Sequence, residues 1–195
     1  MSPRLLAAAF AVCLAPLAAA AQDENPYKSA KVGDFATYKM ETKVAGFTVA
    51  GTMTQTVTAK NDKEATVKGS GKISLNGKDM DIPATEQKID LTKPYDPTKL
   101  GGGGGLPPGT EAKLDKLKDG KEKIKVAGKE YETTWTTYKM KAKAGGMDID
   151  ADLKVWMSKD IPMGMAKMEM KAEFAGQAMN MTMELTETGN KPVKD

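Results

Sequence analysis

The residues best suited to chemistry in this chain are methionines. Met163-x-Met165, Met168-x-Met170 and Met179-x-Met181-x-Met183 recur at a spacing of two. Thioether sulfurs are soft donors, so such a cluster could hold Cu(I). On a β-strand the same spacing puts each group on one face, where methionine fills irregular apolar gaps. Met40, Met53, Met140 and Met147 share that inward phase without any pairing. The pattern therefore favours a lining role over a metal site, and neither a metal nor a cofactor is assigned.

Other chemistries are largely excluded by composition. The chain has no histidine, and its one cysteine, Cys13, lies in the first segment. Ser-His-Asp and Cys-His arrangements and His-ligated zinc are thereby ruled out. Asp148-x-Asp150-x-Asp152 could offer oxygens to calcium, but alternate strand positions stand roughly 7 Å apart. One ion would need donors from neighbouring strands, and no glycine or distal glutamate completes a calcium loop. The remaining acids alternate with lysines on faces that should be wet, the ordinary place for solvated charge. The glycine run before Leu106-Pro107-Pro108 lacks the Gly-Lys-Ser/Thr ending of a phosphate-cradling loop. No enzyme is expected.

The elements that must position these residues begin after a leader. Met1–Ala21 reads as a secretory signal peptide: Arg4 supplies the charge, Leu5 to Leu17 the apolar run, and Ala19-Ala20-Ala21 the cleavage pattern. Lipidation at Cys13 is disfavoured by Phe10 and Val12, where a lipoprotein signal takes a branched aliphatic residue and a small one. The expected location is secreted or periplasmic, with Gln22 as the mature N-terminus. Without cysteine, the mature chain must be held by its own apolar core. No second apolar run is long enough for a spanning helix. The formal net charge falls from +3 to +2 when Arg4 leaves. Lysines are interspersed with acids, and the basic block with interleaved aromatics that marks a nucleic-acid surface is missing.

Gln22–Lys31 is polar and expected to lie loosely at the surface. From Phe35 onward the sequence alternates apolar and polar residues, the mark of strands with one buried and one wet face. Strands are predicted over Phe35–Val44, Phe47–Ala59, Glu64–Ser70, Lys72–Leu75 and Thr85–Leu91. Asn76-Gly77 is the clearest hairpin turn, because both positions of a type I′ turn need positive φ. A Pro/Gly-rich loop over 92–110 then breaks the pattern. Thr110–Gly120, with Leu114 and Leu117 three apart, is the one expected helical turn. Strands resume over Glu122–Val126, Glu130–Lys143, Met147–Met157, Met163–Phe174 and Ala178–Thr188, followed by a polar tail, 189–195. The Tyr38-Lys39-Met40 hairpin is echoed at Tyr138-Lys139-Met140, a likeness of strand patterning. The fold class is all-β: one domain over 32–188, a strongly curved antiparallel sheet of about ten strands in a meander, an incomplete barrel.

The inner face of that sheet is expected to carry Tyr38, Met40, Phe47, Met53, Tyr138, Met140, Met168, Met170, Phe174, Met181 and Met183. A concave apolar face left open is where small ligands bind, and methionine lets it repack around greasy ones. Trp135 and Trp156 are out of phase with it and are expected to cover the sheet's other side or an edge, as ordinary packing. Val155-Trp156-Met157-Ser158-Lys159-Asp160-Ile161-Pro162-Met163-Gly164 closes one strand in tryptophan, turns, and opens another after a proline. With Val32-Gly33-Asp34-Phe35-Ala36-Thr37-Tyr38 and Val126-Ala127-Gly128-Lys129-Glu130-Tyr131-Glu132, it resembles secreted half-barrel proteins such as the periplasmic lipoprotein-carrier group. The resemblance implies a half-barrel fold. It transfers no functional residue, and the helices that plug the carriers have no counterpart here apart from Thr110–Gly120. The expected function is an exported, non-enzymatic protein binding a lipid or lipid-like molecule. The alternatives are a methionine-rich Cu(I)-binding protein and a structural or interaction module of the cell envelope.

Overall fold

A computed structural model describes residues 25–44, 46–75, 77–95, 111–144, 147–174 and 177–193. The expected signal peptide and most of the Pro/Gly-rich loop lie outside the described residues. After a 3-10 turn at Pro26–Lys28 come β1 (Asp34–Val44), β2 (Phe47–Lys60), β3 (Glu64–Leu75) and β4 (Lys78–Asp90). The second run is β5 (Glu111–Val126), β6 (Lys129–Ala144), β7 (Met147–Met157), β8 (Met165–Phe174) and β9 (Gln177–Asn190). They form one strongly curved antiparallel sheet in the order β4-β3-β2-β1-β9-β8-β7-β6-β5, an incomplete barrel that stays open between β4 and β5.

The two edge strands share one direction. Every neighbouring pair is antiparallel, including β1 with β9. Alternating directions around nine strands leaves β4 and β5 pointing the same way. An antiparallel ladder therefore cannot join them. In sequence the two edges are connected by residues 91–110.

Period-two alternation produces these strands as expected, with several corrections. Glu111–Gly120 is strand, not helix: it is the first part of β5. Leu114 and Leu117 are not on one helical stripe, because the segment is a strand in which Leu117 is left unpaired at a bulge between Lys116 and Lys118. Leu114 packs against the core, whereas Leu117 is 57% exposed. Glu64–Ser70 and Lys72–Leu75 join into one strand, which lowers the count to nine. β4 runs through Pro83, tolerated because β4 is an edge and Pro83 and Ala84 together oppose Ser70 in a bulge. The predicted hairpin is present: Leu75 pairs with Lys78, and Gly77 has φ +76°. Asn76 lies outside the described residues.

The two ends of the sheet differ. At one end stand the β1–β2, β3–β4, β6–β7 and β8–β9 hairpins. The other end is plugged by the chain itself: Tyr27, Leu91, Ile161, Met163 and Met165 are buried in one cluster with Tyr38, Met53 and Leu185. Residues 22–31, expected to be loose, thus supply buried Asn25, Tyr27 and Ala30. The physical reason is a side-chain clasp. Asn25 Oδ1 accepts from the Tyr27 amide at 3.1 Å, and its Nδ2 donates to the Asp90 and Lys93 carbonyls, each at 3.2 Å. Lys60 Nζ donates to the Lys28 and Ala30 carbonyls at 2.6 and 2.7 Å. Gly164 (φ +80°) closes the turn before β8 so tightly that a Cβ there would meet Pro26 Cβ at 2.7 Å.

Candidate functional site

The predicted inner-face residues fall on one face in ordered rows. In the deepest row Tyr38 pairs with Met53 on one side and Leu185 on the other. The next row runs Thr136, Val155, Met168, Met183, Met40 across β6, β7, β8, β9 and β1. Above it stand Tyr138, Leu153, Met170, Met181 and Thr42. The row nearest the hairpins is Met140, Ala151, Ala172, Met179, Val44, Phe47.

Exposure varies within these rows. Tyr38, Met53, Met168 and Met183 are buried, whereas Met40, Tyr138, Met170 and Met181 are half-buried. Met140 is buried in a small separate cluster with Ala151 and Ala172, against which Leu114, Ile149, Met170 and Met179 pack. Phe47 is in phase but 58% exposed, because it opens β2 at the hairpin end where no layer covers it. The side chain of Phe174 lies outside the described residues. So the structure assigns Tyr38 and Met53 to the plugged interior and leaves the upper rows partly open. Burial also pushes the Tyr38 hydroxyl far above its usual range, and it donates to the Met165 carbonyl at 3.3 Å. It is a neutral strut of the plug.

Beside the upper rows, a cleft of about 580 Å³ is lined by Ala112, Ala142 and Ile149 with Lys113, Lys141, Lys143 and Asp150. It sits where β5, β6 and β7 reach the hairpin end. The lysines face the acids of the outer side across the strands: Lys141 is in register with Asp150, and Lys139 with Asp152 at 2.8 Å between charged atoms. That pairing explains the Asp150 and Asp152 spacing as a cross-strand charge ladder. Among the described residues no group of acids, histidines or cysteines is placed to hold a metal ion.

Two features were not foreseen. The plug had one faint signal, a lone aromatic, Tyr27, in an otherwise polar segment. The other is an aromatic and charged cluster on the outer face. Trp135 and Trp156 are in register there, as their phase requires. Lys154 Nζ stands 4.6 and 4.2 Å from their ring centroids, and Trp156 Nε1 donates to Glu122 Oε1. Trp135 lies directly over Gly120, where a Cβ would meet the indole at 2.6 Å. The Trp156 hydrogen bond, with Lys154 beside it, holds the Glu122 carboxyl below its ordinary range. Beyond this cluster the β5–β6 hairpin extends past the end of β7, and its tip docks on β9: the Ala127 amide donates to the Leu185 carbonyl at 3.1 Å. Burial on β6 changes phase accordingly, from Tyr131 and Thr133 to Thr136 and Met140.

No protein-family profile and no curated protein matches this sequence. Among solved structures, a Bacteroides fragilis protein of YmcC-like fold, described as exported, is similar over 83% of this chain and 97% of its own. Its TM-score is 0.49 at 10% identity. A Parabacteroides distasonis chain described as a lipoprotein is similar over 84% and 98%, with TM-score 0.43 and 11% identity. The S-type phycobiliprotein lyase CpeS of Guillardia theta is similar over 86% and 98%, with TM-score 0.31 and 9% identity. At these values none of the three bears on what this chain binds or does, and none is described as a lipoprotein carrier. No helix of the described residues is long and apolar enough to cross a membrane.

Proposed function

We propose that this is an exported, non-enzymatic protein that binds a hydrophobic molecule at the hairpin end of its inner face. The observation that carries the proposal is a half-buried patch on the inner face: Met40, Tyr138, Met170 and Met181 keep part of their surface exposed beside fully buried Met168 and Met183. An apolar surface of adaptable side chains on the inner face of an incomplete barrel suits a greasy ligand of variable shape. The plugged end limits the depth available, so the ligand lies across the upper rows and does not thread the sheet.

The test is uptake of a fluorescent fatty acid, beside native mass spectrometry of gently purified protein. Saturable uptake of one or two chains is expected. Met170→Lys/Met181→Lys should abolish it. No co-purified lipid together with no uptake would overturn the proposal.

A further inference from the structure

We propose that the inner face also carries a thioether site for Cu(I), formed by Met168, Met183 and Met40, with Met170 and Met181 beside it. What the sequence spacing alone left open is which methionines meet, and the register decides it. Met168 on β8 is opposite Met183 on β9, which is opposite Met40 on β1. Met170 and Met181 form the adjoining pair of the next row. Three methionines thus stand side by side on successive strands, and two more lie one step above them.

Directly opposed side chains on a sheet start roughly 4.5–5.5 Å apart at Cβ. Methionine has three rotatable bonds, so sulfurs from such positions can converge on one ion without moving the backbone. Their burial divides the roles. Met168 and Met183 are 3% and 0% exposed and would hold an ion away from water. Met40, Met170 and Met181 are half-buried and pack against them, which supplies an entry route.

The donor set also states which ion it would take. Thioethers are neutral and soft, so they suit a monovalent soft cation and offer little to calcium or magnesium. Zinc and Cu(II) sites draw on imidazole or thiolate, and the described residues contain neither histidine nor cysteine. Thioethers do not titrate, so binding should persist at pH 5, unlike adventitious binding through protonatable ligands.

The experiment is anaerobic titration of the protein with Cu(I) against bicinchoninate, with Ag(I) followed by native mass spectrometry. One ion per chain is expected, with no uptake of Zn(II) or Cu(II). Met40→Leu/Met168→Leu/Met183→Leu should weaken Cu(I) binding at least tenfold, whereas Met53→Leu and Met80→Leu, outside these rows, should bind as the parent. Met40→Leu/Met181→Leu, which changes only half-buried positions, gives the same test should the triple variant fail to fold. X-ray absorption on the unaltered protein should show a sulfur-only shell. Nitrogen or oxygen donors, or Leu variants that bind as the parent, would overturn the inference. Uptake without Cu(I) binding in the parent overturns this site alone, and Cu(I) binding without uptake overturns only the lipid proposal.

Discussion

Replacing Tyr27 with alanine should unfasten the plugged end. The ring is 1% exposed and lies 6.4 Å, centroid to centroid, from Tyr95. Truncating a buried aromatic residue to alanine costs about 3–5 kcal/mol, less where the surroundings can collapse into the space. Tyr27 sits on a short segment before β1, which can move toward the vacated volume, so the lower figure of about 3 kcal/mol applies. With a urea dependence near 2 kcal/mol per molar, the unfolding midpoint should fall by roughly 1.5 M. Urea titrations followed by far-UV circular dichroism measure this, with Tyr27→Phe as the reference that keeps the ring. Hydrogen exchange should report a second effect, faster exchange at the amides of Tyr27, Lys28 and Gly33. A loss below about 1 kcal/mol for Tyr27→Ala, the size of an ordinary surface change, would refute the account of this residue as core.

Other consequences can be tested separately. Gly120→Ala places a Cβ 2.6 Å from the Trp135 ring, so the indole should tilt off Lys154. Its near-UV circular dichroism should change and its emission move to the red, and unchanged spectra would contradict the stacking. Asp90 is held at about 2, from 3.8, first by the Thr92 hydroxyl, then by the Thr92 amide and Lys93. Because its folded-state value is depressed, its stabilising share is complete above 3.8 and disappears as pH falls toward 2. Asp90→Asn should therefore melt below the parent at neutral pH, with the two melting curves converging near pH 2; a constant gap would count against it. Pro83→Thr should straighten the β4 edge and restore a donor, so light scattering should reveal concentration-dependent association absent from the parent.

Most of the face assignment was legible from residue order, because side chains alternate with period two whatever the sheet does globally. The methionines of β8 and β9, the opposite phase of both tryptophans and the 76–77 turn are all local facts. β5 was obscure for a physical reason. As an edge rich in lysine, it has wet side chains on both faces over much of its length, so Leu114 and Leu117 were its main apolar signal. Their spacing of three imitated a helical stripe. The plug was hidden because its partners are distant in sequence: Asn25 meets Asp90 and Lys93, and Gly164 meets Pro26. Phe47 shows the converse limit, since phase says which way a residue points and not whether anything covers it.

The seam between β1 and β9 pairs Asp34 with Asn190 and Val44 with Met179, joining the two extremes of the folded chain. All other ladders connect strands adjacent in sequence. Each four- or five-strand run can therefore grow by local zippering, whereas the seam must close a loop of nearly the whole polypeptide. Such long-range closure makes folding slow. A chain emerging from its N-terminus carries β1 with one bare edge until β9 arrives, and that edge is open to strands of other molecules in the meantime. The last strand made is thus the one that ends the period of greatest exposure.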